Sequence, residues 1–207
     1  MMKKICNGLS AGILISIGGG VFLALAGIDH KIMGAIFFSV ALMTICFRGY
    51  ALYTGRIGLI IADHKKETLS ALFLGLLGNA IATIVCGLVL RYAIPSMGDT
   101  AFTICSAKLE QSFLSALIRA IFCGILMYVA VGIWRESKTQ MGVVFAIPVF
   151  ILSGYEHSIA DMFYFAASGI VSAKAFGYLW TIILGNSIGA WILPLLEYVW
   201  KKDKANA

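Results

Sequence analysis

Ser153-Gly154-Tyr155-Glu156-His157-Ser158 lies in the middle of an apolar run that extends from Met141 to Val171. A helix facing lipid would not choose an acid and an imidazole there, because irregular or polar backbone at membrane depth persists only where protein or a polar cavity surrounds it. A second run, Ile32–Ala62, is interrupted in the same way by Arg48-Gly49-Tyr50-Ala51-Leu52-Tyr53-Thr54-Gly55-Arg56. Both runs exceed the roughly 20 residues that one straight span requires. Each therefore reads as a broken helix, and two breaks point to a site at mid-membrane.

Outward from these breaks, the chain supplies four more apolar runs, at Leu9–Gly27, Leu69–Ile94, Phe113–Trp134 and Phe176–Trp200. Polar connections are expected at Asp29–Lys31, Asp63–Thr68, Pro95–Ser112, Arg135–Gln140 and Ser172–Ala175. The composition agrees: 60% of the 207 residues are hydrophobic and 13% charged, against about 45–50% and about 25% in soluble domains. Too few polar residues remain to cover one soluble core. The expectation is an all-α, polytopic membrane protein of six transmembrane helices, forming a single transmembrane domain over residues 1–207.

The formal charge of +6 comes from bases scattered singly between apolar runs, with no stripe to track a phosphate backbone, so nucleic acid is not an expected partner. The bases instead indicate orientation. With the N-terminus inside, Lys3, Lys4, Lys65, Lys66, Arg135, Lys138, Lys201, Lys202 and Lys204 fall on the inner side, against Lys31, Arg91, Lys108 and Lys174 outside. Both termini are expected in the cytoplasm and the chain in the inner (plasma) membrane. Lys3 and Lys4 ahead of an apolar stretch ending Ala24-Leu25-Ala26-Gly27 also resemble a cleavable signal peptide. The stretch is longer than a usual signal core, and its removal would destroy the internal symmetry, so a retained span is expected. The five cysteines, at 6, 46, 86, 105 and 123, lack C-x-x-C spacing and read as packing residues.

The symmetry lies in Leu77-Gly78-Asn79-Ala80-Ile81-Ala82 and Leu184-Gly185-Asn186-Ser187-Ile188-Gly189, each following one break. The halves, roughly 1–94 and 113–200, hold three spans each. Three is odd, so the second half enters from the opposite face, giving the inverted repeat known in transporters with broken helices. Gly78, Gly185 and Gly189 would let helices approach closely.

Charged groups at membrane depth each require a partner or a wet cavity. Arg48, Arg56, Arg119, Glu156 and Asp161 are the candidates. Glu156 and Asp161 read either as bound to arginines and loop amides or as meeting substrate, and Arg56 with Asp161 is the favoured pair. His157 has no second His or Cys at ligand spacing, so no metal site is expected. Its place in one of two symmetric breaks points instead to a proton or hydrogen-bond donor for an anion.

Glu156-His157-Ser158-Ile159-Ala160 followed by Asp161-Met162-Phe163 resembles the E-H-S-[IV]-A-N-M-[FY] motif of the formate/nitrite transporter family, and Leu52-Tyr53-Thr54 resembles its L-F-T motif. The resemblance, which includes both Gly-Asn motifs, spans nearly the whole chain. It implies aquaporin-like six-helix protomers assembled as a homopentamer, with no cofactor. It also implies constrictions at Phe38, Leu42, Leu52, Tyr53 and Phe150, a central anion and proton site at Thr54, Glu156, His157 and Asp161 with Arg56 beside it, and attraction of anions into the outer vestibule by Lys108. The chain departs from the family pattern at Asp161 (usually Asn), Tyr53 (Phe), Ala51 (commonly acidic), Gly124 (Asn) and the added Arg56, where charge pairing could offset Asp161.

The implied function is passage of small monovalent anions of weak acids, such as formate, nitrite, hydrosulfide or acetate, with protons. A bare anion crosses an apolar constriction at a large desolvation penalty, whereas the neutral acid crosses readily. Lys108 and the inner bases would gather anions, while Thr54 and His157 would hydrogen-bond them between gates. The rival is an aquaporin-like channel for water or glycerol, against which stand the missing Asn-Pro-Ala and the surplus base near the pore. An intramembrane enzyme is not expected, since Ser158 and His157 are adjacent and too cramped for a catalytic pair.

Overall fold

The computed structural model describes the backbone of residues 1–206 and side chains through residue 200. Lys201, Lys202 and Lys204 of the orientation argument lie outside the described side chains. The described residues form α1 (Met2–Ala26), α2 (Lys31–Arg48), α3 (Tyr53–Arg56), a 3-10 turn (Ile57–Ile61), α4 (Lys66–Ala93), α5 (Pro95–Leu109), α6 (Phe113–Ser137), α7 (Met141–Leu152), α8 (Ser158–Ser168) and α9 (Ala173–Asn206). Five of these, α1, α2, α4, α6 and α9, are long and apolar enough to cross a membrane, and α7 is a shorter apolar helix. Large apolar side chains such as Ile17, Val40, Phe73, Leu88, Phe145 and Trp180 face outward, as a lipid-embedded surface requires.

Two expectations need correction. The expected polar connection at Pro95–Ser112 is mostly helix, because Pro95 pre-sets the first turn and Gly98, Ala101 and Cys105 form a buried stripe at helical spacing. The apolar windows also underestimate helix length: α1 begins at Met2, not Leu9, and α9 at Ala173.

Two helix pairs form the framework, α1 against α4 and α6 against α9. Small residues make both pairs close. A Cβ on Gly12 of α1 would stand 2.7 Å from Ala82 Cβ and 2.8 Å from Asn79 O of α4, and one on Gly124 of α6 would collide with Asn186 O of α9. Gly124 is therefore required by the approach of α9 in this chain. Gly78 and Gly185 face the backbones of α1 and α6 in the same manner, the packing that small residues permit between apolar helices.

Candidate functional site

Both α2 and α7 stop short because each ends in a left-handed glycine, Gly49 (φ 68°) and Gly154 (φ 69°). Tyr50 N–H reaches back to Ile45 O (3.0 Å) and Gly49 N–H to Cys46 O (3.3 Å); Tyr155 N–H reaches Phe150 O (2.9 Å) and Gly154 N–H reaches Ile151 O (3.1 Å). These are matching Schellman caps, in which the glycine turns the chain out of the helix without a Cβ clash. A guanidinium then meets the glycine carbonyl at each break: Arg56 Nη2 donates to Gly49 O (2.8 Å) and Arg119 Nη1 to Gly154 O (3.1 Å).

One buried asparagine braces each break. Asn79 Oδ1 accepts from Tyr53 N–H (2.9 Å), while its Nδ2 donates to Gly8 O (2.8 Å) and Ala51 O (2.9 Å). Asn186 Oδ1 accepts from Ser158 N–H (2.8 Å), and its Nδ2 donates to Ala120 O (2.9 Å) and Glu156 O (2.8 Å). Each amide satisfies two backbone groups that the interruption would leave orphaned in an apolar interior, and ties them to a carbonyl of a neighbouring helix, Gly8 O of α1 or Ala120 O of α6. The Gly-Asn motifs marked the repeat in the sequence. Their asparagines as braces were not foreseen.

The two breaks meet through Thr54 and His157, whose Oγ1 and Nε2 are 2.9 Å apart. His157 also caps α8, its Nδ1 accepting from Ala160 N–H (3.2 Å). An accepting Nδ1 carries no proton, so the neutral ring holds its proton on Nε2 and donates it to Thr54 Oγ1. A second proton on Nδ1 would face the Ala160 N–H donor to donor. Phe150 stacks on the imidazole (centroids 5.6 Å apart, 24° between planes) and meets Phe38 edge-on at 6.3 Å. Phe38, Leu42, Leu52, Tyr53 and Phe150 are all buried, and Tyr53 is fixed by its hydroxyl, 2.8 Å from Ser187 Oγ.

Cavities open on either side of this plug. One, of about 480 Å³, is lined by Leu42, Leu52, Arg56, Glu67, Trp134 and Arg135 among others. The other, of about 330 Å³, is lined by Lys31, Lys108, Arg119, Phe150, Glu156, His157 and Asp161 among others. Thr54 and His157 thus sit between two vestibules and behind aromatic and leucine side chains.

The acidic residues pair differently from expectation. Asp161 does not meet Arg56. Its Oδ1 lies 3.0 Å from Lys108 Nζ, which also pairs with Glu156 Oε2. Gln111 Nε2 donates to Glu156 Oε1 (2.9 Å). Burial alone would depress the pKa of the Lys108 ammonium, but Asp161 and Glu156 outweigh it and hold the value above that of an ordinary lysine. Lys108 is therefore locked in a charge cluster rather than free in the vestibule. Asp161 Oδ2 and Ser158 Oγ are buried with no hydrogen-bond partner among the described residues. The clue to Lys108 was in the sequence, since it continues the Gly98, Ala101, Cys105 stripe by one more step toward α8. Gln111 gave no such signal. Among the described residues no cluster of His, Cys, Asp or Glu could hold a metal.

The family model described as Formate/nitrite transporter matches residues 1–200. Formate-nitrite transporter 2 of Toxoplasma gondii (strain ATCC 50611 / Me49) is 28% identical over 193 residues, covering 83% of this chain; the match spans 42% of that protein's length. Formate channel FocA of Escherichia coli (strain K12) is 24% identical over 204 residues, 88% of this chain and 72% of that one. Among solved structures, a pentameric formate channel with formate bound superimposes with a TM-score of 0.82 at 21% identity, covering 97% of both chains. That likeness establishes the fold.

Proposed function

The chain belongs to the formate/nitrite transporter family, and on that premise we propose that it is a transmembrane channel or transporter for small monovalent anions of weak acids, with formate, nitrite, hydrosulfide and acetate as candidate substrates. The observation that carries this reading is the Thr54–His157 pair, held at 2.9 Å between two base-lined cavities and behind buried Phe38, Leu42 and Phe150.

In this reading the spans form a 3+3 inverted repeat with the second and fifth helices broken. The matching caps and asparagine braces support that repeat. The protomers assemble as a homopentamer in the plasma membrane with both termini in the cytoplasm; the pentameric structural neighbour and the distribution of bases support these assignments.

An anion drawn into a vestibule by the surrounding bases loses water at the plug, where it accepts hydrogen bonds from Thr54 Oγ1–H and His157 Nε2–H. A proton delivered from water or from the Lys108–Glu156–Asp161 cluster converts it to the neutral acid, which crosses the apolar gates at a far smaller desolvation penalty. On the far side the acid returns the proton to water. The neutral His157 is a hydrogen-bond donor in this scheme, and its α8 cap disfavours a role as an imidazolium reservoir. Glu156 and Asp161 together carry one more charge than Lys108 neutralises, which leaves that cluster a place for one proton.

The test is uptake into proteoliposomes carrying an internal pH dye, with each of the four anions supplied in turn. Lumenal acidification that tracks an anion and vanishes in His157→Phe is expected. Water or glycerol flux without anion flux would overturn the reading.

A further inference from the structure

Arg56, on α3, and Arg119, on α6, are not equivalent in sequence but make matching contacts on opposite sides of the plug. Each donates to the carbonyl of the left-handed glycine that ends a half-helix, and each lines its own cavity, Arg56 the larger and Arg119 the smaller. Arg119 also donates through Nε to Ser115 Oγ (3.3 Å). A guanidinium has five N–H donors, so neither side chain is exhausted by these bonds. Among the described residues neither forms an ion pair with a carboxylate.

We propose that Arg56 and Arg119 are paired anion-docking residues, one for each face of the pore, each taking a small planar oxoanion such as a carboxylate on the donors its glycine carbonyl leaves free. This rests on the reading of the chain as an anion channel, and it gives the two arginines a role distinct from the central Thr54–His157 site. Planarity matters because the guanidinium fork matches two oxygens of a carboxylate, whereas an ammonium offers a point charge. The carbonyl anchor also matters, since a side chain already ordered loses less freedom when the anion arrives. Of the two other bases lining the smaller cavity, Lys31 and Lys108, Lys108 is occupied by Glu156 and Asp161. In the larger cavity Arg135 adds a second positive charge beside Arg56.

The experiment uses the full chain in right-side-out and inside-out membrane vesicles and measures the half-saturating concentration for formate supplied at each face. Arg56→Gln is expected to raise that value about fivefold, the size of one partly solvated charged contact, from one face only. Arg119→Gln should raise it from the other face only. The Lys variants, which keep the charge and lose the fork, should impair formate more than hydrosulfide. Equal shifts at both faces, or none, would overturn the proposal and leave the arginines as helix caps. Should the Gln variants fail to fold, an arginine-directed dicarbonyl reagent applied to the unaltered protein gives the same answer. Formate should protect Arg56 and Arg119 from modification, and its failure to protect either would count against docking. Absence of flux for formate, nitrite, acetate and hydrosulfide alike in the unaltered protein is a different result, and it would remove the channel reading itself.

Discussion

The two breaks share a scaffold and differ in chemistry. Each has a left-handed glycine, a Schellman cap, an arginine on the glycine carbonyl and a buried asparagine that ties three backbone groups. At equivalent positions, however, Ala51 stands against Glu156, Leu52 against His157, and Arg56 against Asp161. The repeated parts are those that solve the problem of interrupting a helix in an apolar interior. Of the parts that diverge, Leu52 and Arg56 line one cavity and Glu156, His157 and Asp161 the other. The shared parts therefore serve the interruption itself, and the unshared ones set the different chemistry of the two cavities.

The largest effect that would sharpen this contrast is on flux. His157→Phe should abolish anion transport, a loss of about 100-fold or more, while its elution on size-exclusion chromatography stays that of the unaltered protein. Leu52→Phe, at the equivalent place in the other break, should lower flux far less; equal losses would erase the distinction. Next comes the charge cluster. Lys108→Met leaves two buried carboxylates without a cation and should destabilise the protein by about 3–5 kcal/mol, read by thermal unfolding in detergent. Adding Glu156→Gln and Asp161→Asn should restore most of that loss.

The shared scaffold predicts equality. Asn79→Leu and Asn186→Leu each strand two backbone groups of an interruption and cut a bond to a neighbouring helix carbonyl, and should lower stability by similar amounts, about 2–4 kcal/mol. A large imbalance between them would break the correspondence. The smallest effect is a null one: a double-mutant cycle on Arg56 and Asp161 should be additive to within about 0.5 kcal/mol, whereas Lys108 and Asp161 should couple measurably.

That last prediction reverses an expectation drawn from the sequence, and the reason is instructive. In the inverted repeat proposed above, equivalent positions lie on opposite sides of the mid-plane, so symmetry argues against Arg56 and Asp161 meeting. Each instead lines a different cavity. The apolar runs and both interruptions were legible because hydropathy acts locally, whereas the placing of Thr54 and His157 in one site came from the family resemblance. The Lys108–Glu156–Asp161 cluster was not legible, because it depends on α5 folding as a helix against α8, and the mixed composition of Pro95–Ser112 conceals a stripe of small residues. The asparagine braces escaped for a related cause. A side-chain amide bonded to distant backbone leaves no periodic trace.

The asparagine braces also fix the timescale on which such a pore can open. Asn186 links α9 to Ala120 of α6 and to the loop and first residue that lead into α8, and Asn79 links α4 to Gly8 of α1 and to the loop and first residue that lead into α3. Moving either interruption as a unit means parting a tightly packed helix pair, a microsecond-to-millisecond event, whereas rotation of Phe38, Leu42 or Phe150 about side-chain bonds needs no backbone displacement and belongs to a much faster class of motion. Permeation should accordingly show shallow temperature dependence and no slow activation phase, the kinetic character of a fixed orifice with swinging side chains.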